Sequence, residues 1–246
     1  MKNKLSGFLI NLLGVILGIT LTFGVNSLWQ KREENRKIKE MLTMVRKELE
    51  INKEYFKGHE NTIKEDSYVY VKILENKDNI ADFPKDTLLN YLSRMFNISD
   101  YQLTTSSWEI FQNSELIQKM TNKELLIRLT ECYWLINRIQ EFVMKEYWDI
   151  KRKILVYDLD PYQFFKEILK NKEAVYFFTV ISGYGGYSNF MDIFLNVDIY
   201  IDYTIMILDK YGDFQYDMDD KDKEFELFFE TRMDSLRSKN DTLTTK

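Results

Sequence analysis

The stretch Leu5 to Leu28, LSGFLINLLGVILGITLTFGVNSL, carries no charged side chain. As a helix rising about 1.5 Å per residue it would measure about 36 Å, enough to cross a hydrocarbon core of about 30 Å. Two readings compete for it. A cleaved signal peptide has an apolar region of about 7–15 residues ending in small residues, which Thr22 and Gly24 could supply. The uncharged run is longer than that, and the sequence after it continues with helical spacing. An uncleaved anchor, with the lipid bilayer as its partner, is the expectation, and the span is taken as residues 5–28.

Inside the span, Gly14 and Gly18 form a GxxxG pair, Thr22 extends the small-residue row, and Asn11 lies near the same face. Small residues let two helix backbones approach closely, and a polar Asn in lipid favours a hydrogen-bond partner on a neighbouring helix. Asn11, Gly14, Gly18 and Thr22 are therefore the candidate packing face of a homo-oligomer. The competing reading is that glycine is common in membrane helices. Trp29 at the end of the run fits an interfacial anchor. Lys2 and Lys4 precede the span, whereas Lys31, Arg32, Arg36, Lys37 and Lys39 follow it. Basic residues prefer the cytoplasmic side, so this excess favours a cytoplasmic C-terminal domain, although a short basic N-terminus is also what a signal-anchor presents there.

From Gln30 to about Glu75 a charged stalk helix is expected. Ile38, Leu42, Val45, Leu49, Asn52, Phe56 and Ile63 recur at spacings of three, four and seven, a helical stripe close to a heptad seam. Asn52 on that stripe reads either as a register-setting residue of a helix pair or as a partly exposed position in an ordinary bundle. Gly58 reads as a weak point or kink. Ser67 to Leu74 is β-rich in composition but continues the helical faces, and is read as helix with a strand as alternative.

Residues 76–237 read as an antiparallel helical bundle and 238–246 as a polar tail. Pro84 suits a first helical position, with Leu88, Leu89, Leu92 and Phe96 inward. A short helix carries Trp108 and Phe111. Thr121 and Glu124 match a capping box opening a long helix through Leu125, Leu129, Tyr133, Ile136, Ile139, Val143 and Tyr147 toward Ile154. Asp160–Pro161 starts another helix. Ala174 to Ile181 is a short apolar run, a buried helix with a core strand as alternative. The Gly-rich turn Ser182 to Tyr187 precedes a helix carrying Phe190, Phe194, Ile199, Tyr203, Ile207 and Tyr211. The acidic run Asp213 to Glu226 fails the spacing of a calcium loop and reads as a solvated cap of a final helix with Phe225, Phe228, Phe229 and Met233.

Asn26, Ser27 and Trp29 with Lys31 and Arg32, followed by Thr104, Thr105, Trp108, Leu116, Ile117, Asn122, Lys123, Glu124, Leu125, Leu129 and Tyr133, resemble the layout of an uncharacterised family of bacterial single-pass membrane proteins. The resemblance runs from the anchor to about residue 145. The chain departs from that family at Trp108 and Asn113, where Tyr and Gly are frequent, and in its shorter basic N-terminus. The resemblance implies a location in the bacterial inner membrane and an all-α soluble part. It brings no biochemical function.

Composition bounds the function classes. The net charge of -5 is spread along the chain, so no basic footprint for nucleic acid exists at that level. One Cys and one His assemble neither a metal site nor a nucleophilic triad. His59 lacks neighbouring ligands, and Cys132 reads as a small buried side chain. No catalytic, cofactor-binding or metal-ligating residue is assigned, no cofactor is expected, and the chain is read as not an enzyme. The expected fold is all-α: a transmembrane helix continuing into a stalk, then a bundle. Two functions remain: a membrane-anchored scaffold or protein-interaction module, self-associating through the anchor, or a sensor that binds a ligand or partner between aromatic-rich helices.

Overall fold

The computed structural model describes residues 2–97, 102–154, 160–184 and 191–211 with Phe228, Glu230 and Thr231, and side chains from Leu12 onward except in the first residues of the last long helix. Among the described residues the fold is all-α, with no strand. The elements are α1 (Lys2–Glu75), a short 3-10 turn (Ile80–Asp82), α2 (Lys85–Met95), α3 (Ser106–Gln112), α4 (Leu116–Lys119), α5 (Lys123–Ile139), a π turn (Gln140–Met144), α6 (Lys145–Ile154), α7 (Pro161–Ile168), α8 (Lys172–Ser182) and α9 (Met191–Tyr211). The acidic run 213–226, the helix expected after it apart from Phe228, and the tail 238–246 lie outside the described residues.

The chain forms two compact units. One comprises Met1–Val45 with Ser106–Lys123, the other Arg46–Thr105 with Glu124–Lys246. In the first, α3 buries Trp108 and Phe111, their rings edge to face with centroids 6.2 Å apart. Lys119 at the end of α4 is bonded to Glu34 of α1, which also accepts from Gln30 Nε2 at 3.1 Å.

In the second unit the C-terminal half of α1 is the element that the others pack on. The stripe read from spacing is the buried one: Leu49, Phe56 and Ile63 are almost fully enclosed, and Val69, Tyr70, Ile73 and Leu74 continue it. Ser67 to Leu74 is therefore helix, because its β-branched residues fall on a buried helical face. Helical structure also continues through Gly58. Ion pairs give the direction of the neighbours. Arg46 meets Asp209 and Lys53 meets Asp202, so α9 runs antiparallel to α1. Glu48 accepts from Tyr133 and Asp66 pairs with Lys151, so α5, the π turn and α6 run parallel to it. The chain turns back between these two passes, and Thr104 lies against Asn52.

Asn52 is fully buried and follows neither expectation. Its side-chain amide donates to the Thr104 carbonyl at 2.7 Å, and its oxygen accepts from the Thr104 N–H at 2.8 Å. It satisfies an irregular segment that has no helical partner for those groups. Asn52→Ala leaves both Thr104 groups unmade in a partly buried place, and an expected loss of about 1–3 kcal/mol follows. Urea unfolding of the full chain measures it; an unchanged midpoint would show that water replaces both bonds.

Other elements sharpen the sequence reading. Pro84 precedes α2 rather than opening it, with ψ 139 and its carbonyl accepting from Thr87 and Leu88 N–H. The buried face of α2 is Leu88, Tyr91 and Met95, while Leu89 and Phe96 are 46% and 43% exposed. The large Tyr91 ring packs edge to face on Phe83 at 5.9 Å, which turns the helix away from the leucine row, and the helix stops before Phe96. α5 begins at Lys123, one residue later than a cap at Thr121 would start it. α7 has the expected cap: Asp160 accepts from Tyr162 and Gln163 N–H and Pro161 opens the helix. Ala174 to Ile181 is helix, capped by Asn171 and burying Ala174, Phe177, Phe178 and Ile181, with Tyr176 on its open side. It ends at Gly183, whose φ of 64 needs a residue without a Cβ.

Candidate functional site

Two places in the chain concentrate chemistry, one in each unit. The first is the apolar part of α1. The described residues contain one helix long and apolar enough to cross a membrane. Every side chain from Leu12 to Arg32 is exposed, Phe23 by 71% and Trp29 by 68%. A buried Leu, Ile or Phe is favoured over an exposed one by about 1.5–3 kcal/mol, so this segment in water would forgo on the order of 20 kcal/mol. That exceeds the net stability of about 5–15 kcal/mol typical of a folded domain. Its polar groups are already satisfied in the manner hydrocarbon demands: Thr20 and Thr22 hydroxyls donate to the carbonyls of Ile16 and Gly18, both at 2.8 Å.

On this helix Gly14, Gly18 and Thr22 share one face. A Cβ at Gly14, Gly18 or Gly24 would meet no atom within 4 Å. The described part of the chain therefore leaves the small-residue row open. Asn11 lies on α1, with its side chain outside the described residues. Trp29 sits with Leu21, Thr22, Val25 and Asn26 along the same open surface.

The second place is a polar cluster inside the helical domain that sequence spacing did not single out. Asp66 of α1 and Lys151 of α6 form an ion pair at 2.5 Å with side chains 0% and 1% exposed. The same Asp66 Oδ2 accepts from Tyr147 and, at 3.4 Å, from Tyr70. Lys151 also donates to the Asn97 carbonyl at 3.1 Å, and its ammonium lies 5.2 Å from the centre of the Trp148 ring. His59, itself buried, has its ring centroid 5.7 Å from that of Trp148. Tyr70 stacks on Phe178 at 4.3 Å, which closes the cluster with an apolar wall.

Burial pushes the Asp66 carboxyl above its ordinary range, opposed by Lys151 and the two phenols. Burial likewise pulls the Lys151 ammonium down, opposed by Asp66. Tyr70 and Tyr147 are pushed well up by burial first; the Asp66 carboxylate comes next for Tyr70, and Tyr70 and then Asp66 for Tyr147. Each group alone would be costly in this interior; together they supply the hydrogen bonds of Asp66 Oδ2, whereas the buried Asp66 Oδ1 accepts none among the described residues. With one acid and one ammonium buried together, the arrangement holds α1 and α6 together.

The π turn sets this pairing. Counting at 3.6 residues per turn from Ile136, an unbroken helix would bring about residue 150 to the buried face. One residue is absorbed in the π turn, so Met144 is buried where Val143 is expected, and Lys151 rather than Ile150 faces Asp66. A charged residue recurring on an apolar row, Ile63–Asp66–Tyr70–Ile73, was the available signal for the cluster.

A second buried acid, Glu48, is held by Tyr133 at 2.7 Å and Thr104 Oγ1 at 3.4 Å. Cys132 is enclosed on α5, where burial pushes its thiol up to about 12. Among the described residues no group of three or more His, Cys, Asp or Glu is placed to hold a metal ion. Two shallow clefts of about 250 and 360 Å³ adjoin at Ala81 and Tyr162, the larger bordered by Lys77, Lys166 and Lys170. Comparison with protein-family models, curated proteins and solved structures found no match to this chain.

Proposed function

We propose that the chain is a single-pass protein of the bacterial inner membrane, in which α1 anchors a helical scaffold or protein-interaction module on the cytoplasmic side. The observation that carries this reading is the uncovered apolar segment of α1, continuous in one helix with the buried spine of the folded domain. A covering of lipid removes the cost that water would impose. The excess of Lys and Arg after the span supports the cytoplasmic orientation.

Self-association through Asn11, Gly14, Gly18 and Thr22 is part of the proposal, supported by the open space over both glycines. The alternative of a sensor with a ligand between aromatic helices has less support, since Phe56, Phe164, Phe165, Phe178 and Tyr70 fill that interior with under 2% exposure each. An enzymatic reading would need convergent reactive groups open to a substrate, and the cluster around Asp66 is closed.

Protease protection in sealed vesicles tests the placement: the domain is digested only from the cytoplasmic face, and digestion from the opposite face would reverse the orientation. Chemical crosslinking of full-length protein in membranes tests association. Gly14→Ile with Gly18→Ile is expected to reduce the crosslinked dimer several-fold. A dimer unchanged by both substitutions, or monomer in the unsubstituted protein, would remove that part.

A further inference from the structure

We infer that the first unit binds the anionic headgroups of the bilayer through basic residues, Lys31 and Arg32 of α1 first, joined by Lys119 at the end of α4 and Lys123 at the start of α5 in the same unit. This rests on the membrane placement proposed above. The charge of the region is opposite to that of the chain. Residues 30–40 and 115–123 hold seven Lys and Arg against four Glu, whereas the whole chain has a net charge of -5.

The arrangement of the acids matters more than the total. Arg36 pairs with Glu33 and Glu40, both at 2.6 Å, Lys37 lies 3.7 Å from Glu33, and Lys119 is bonded to Glu34. Three of the four acids, Glu33, Glu34 and Glu40, are thus matched by Arg36, Lys37 and Lys119. Lys31 and Arg32 are exposed and make no ion pair among the described residues. These are also the first cations that follow the apolar run.

Depth along the helix selects the ligand. Counted from Leu28, Lys31 and Arg32 lie about 5 and 6 Å further along the axis, at about 1.5 Å per residue. The headgroup layer on each side of the hydrocarbon is about 5–8 Å deep. Both cations therefore fall at the level of lipid phosphates, with the Trp29 ring just below them at the interface. Glu34 lies about 9 Å from Leu28 by the same rise. Its bond to Lys119 holds the end of α4 at the outer edge of that layer. Gln30 donates to the same carboxylate, and Lys123 donates to the Gln118 carbonyl at 3.5 Å. Glu34 is held below the usual carboxylate range by the Lys119 bond first, so it stays charged and keeps that lysine in place at neutral pH.

The test uses the full chain in nanodiscs of phosphatidylcholine with or without 30% phosphatidylglycerol, with spin-labelled lipids reporting which headgroup accompanies the protein. A cation near an anionic surface contributes about a five-fold preference. Labelled phosphatidylglycerol is expected to associate at least five-fold more than labelled phosphatidylcholine. Lys31→Gln with Arg32→Gln is expected to bring the two lipids within two-fold, and Lys119→Gln to give an intermediate value. High salt should weaken the preference. Equal association of both lipids with inserted protein overturns the inference, as does a preference unchanged by the double substitution. A preference unaffected by Lys119→Gln removes α4 from the binding residues. Resistance to alkaline extraction is measured in parallel: protein that is not retained in the bilayer refutes the membrane placement itself, a result distinct from loss of lipid preference.

Discussion

Lys151→Met is expected to lower the unfolding free energy of the helical domain by about 3–5 kcal/mol, because it leaves the Asp66 charge buried without its cation. Met matches the length of the lysine stem, so little volume is lost and the penalty is electrostatic. The double variant Asp66→Leu with Lys151→Met should recover most of the loss, since an apolar pair of similar volume in place of a buried ion pair is often neutral or stabilising. Tyr70 and Tyr147 then lose an acceptor, which limits the recovery. Chemical unfolding of the full chain in detergent micelles measures all three forms. A single variant as stable as the unsubstituted chain would mean that the pair contributes nothing.

The same variant has a pH signature. Asp66 already has its carboxyl raised by burial, and removing Lys151 removes the strongest opposing influence, so its folded-state value rises further. Between the unfolded carboxyl value, about 3.9, and that raised value, the folded form binds a proton that the unfolded form releases. Its relative stability is therefore greatest in acid and is lost as pH rises through the raised value. The destabilisation by Lys151→Met should be smaller at pH 5 than at pH 8. A penalty that is equal at both would place the charge elsewhere.

The other large effect concerns the anchor. Leu13→Arg with Leu17→Arg should convert a protein resistant to alkaline extraction into an extractable one. Each arginine near the centre of a span costs about 2.5–3.5 kcal/mol on insertion scales, so the pair costs about 5–7 kcal/mol. Both leucines are well exposed on α1, by 57% and 59%, and neither contributes to the buried domain. Unfolding of that domain should then be unchanged by the pair, while its membrane fraction falls. Retention in the membrane by the double arginine form would show that association rests on something other than the span.

The Asp66–Lys151 pair and the Asn52–Thr104 clamp share a property that explains why spacing did not reveal them. Asp66 lies on a legible apolar row of α1 and Lys151 on a legible row of α6, but 85 residues separate them. A charged residue on such a row reads locally as a gap in the stripe. Only when the rows face each other does the gap become half of an ion pair. Asn52 was legible as a polar residue on the seam, which spacing reads either as a register-setting residue of a helix pair or as a partly exposed position. Its actual partner is the backbone of Thr104, a segment without periodicity. The leucine row of α2 misled for a related reason: hydrophobicity alone ranks Leu89 with Leu88, whereas the fit of the Tyr91 ring on Phe83 decides which is enclosed.

Local order was determined by the sequence itself. The apolar run Leu5 to Leu28, the stripe through Leu49, Phe56 and Ile63, the Asp160–Pro161 start and the glycine stop at Gly183 each act within one or two helical turns. Backbone geometry and the 3.6-residue period therefore express them without reference to the rest of the chain. The tertiary structure decided the direction in which helices pass one another, the slip of one residue at the π turn, and hence which charged groups meet. Those outcomes depend on shape and electrostatics summed over residues far apart in sequence. A buried charge is stable only with its partner in place, and the partner is known only once the chain has folded back.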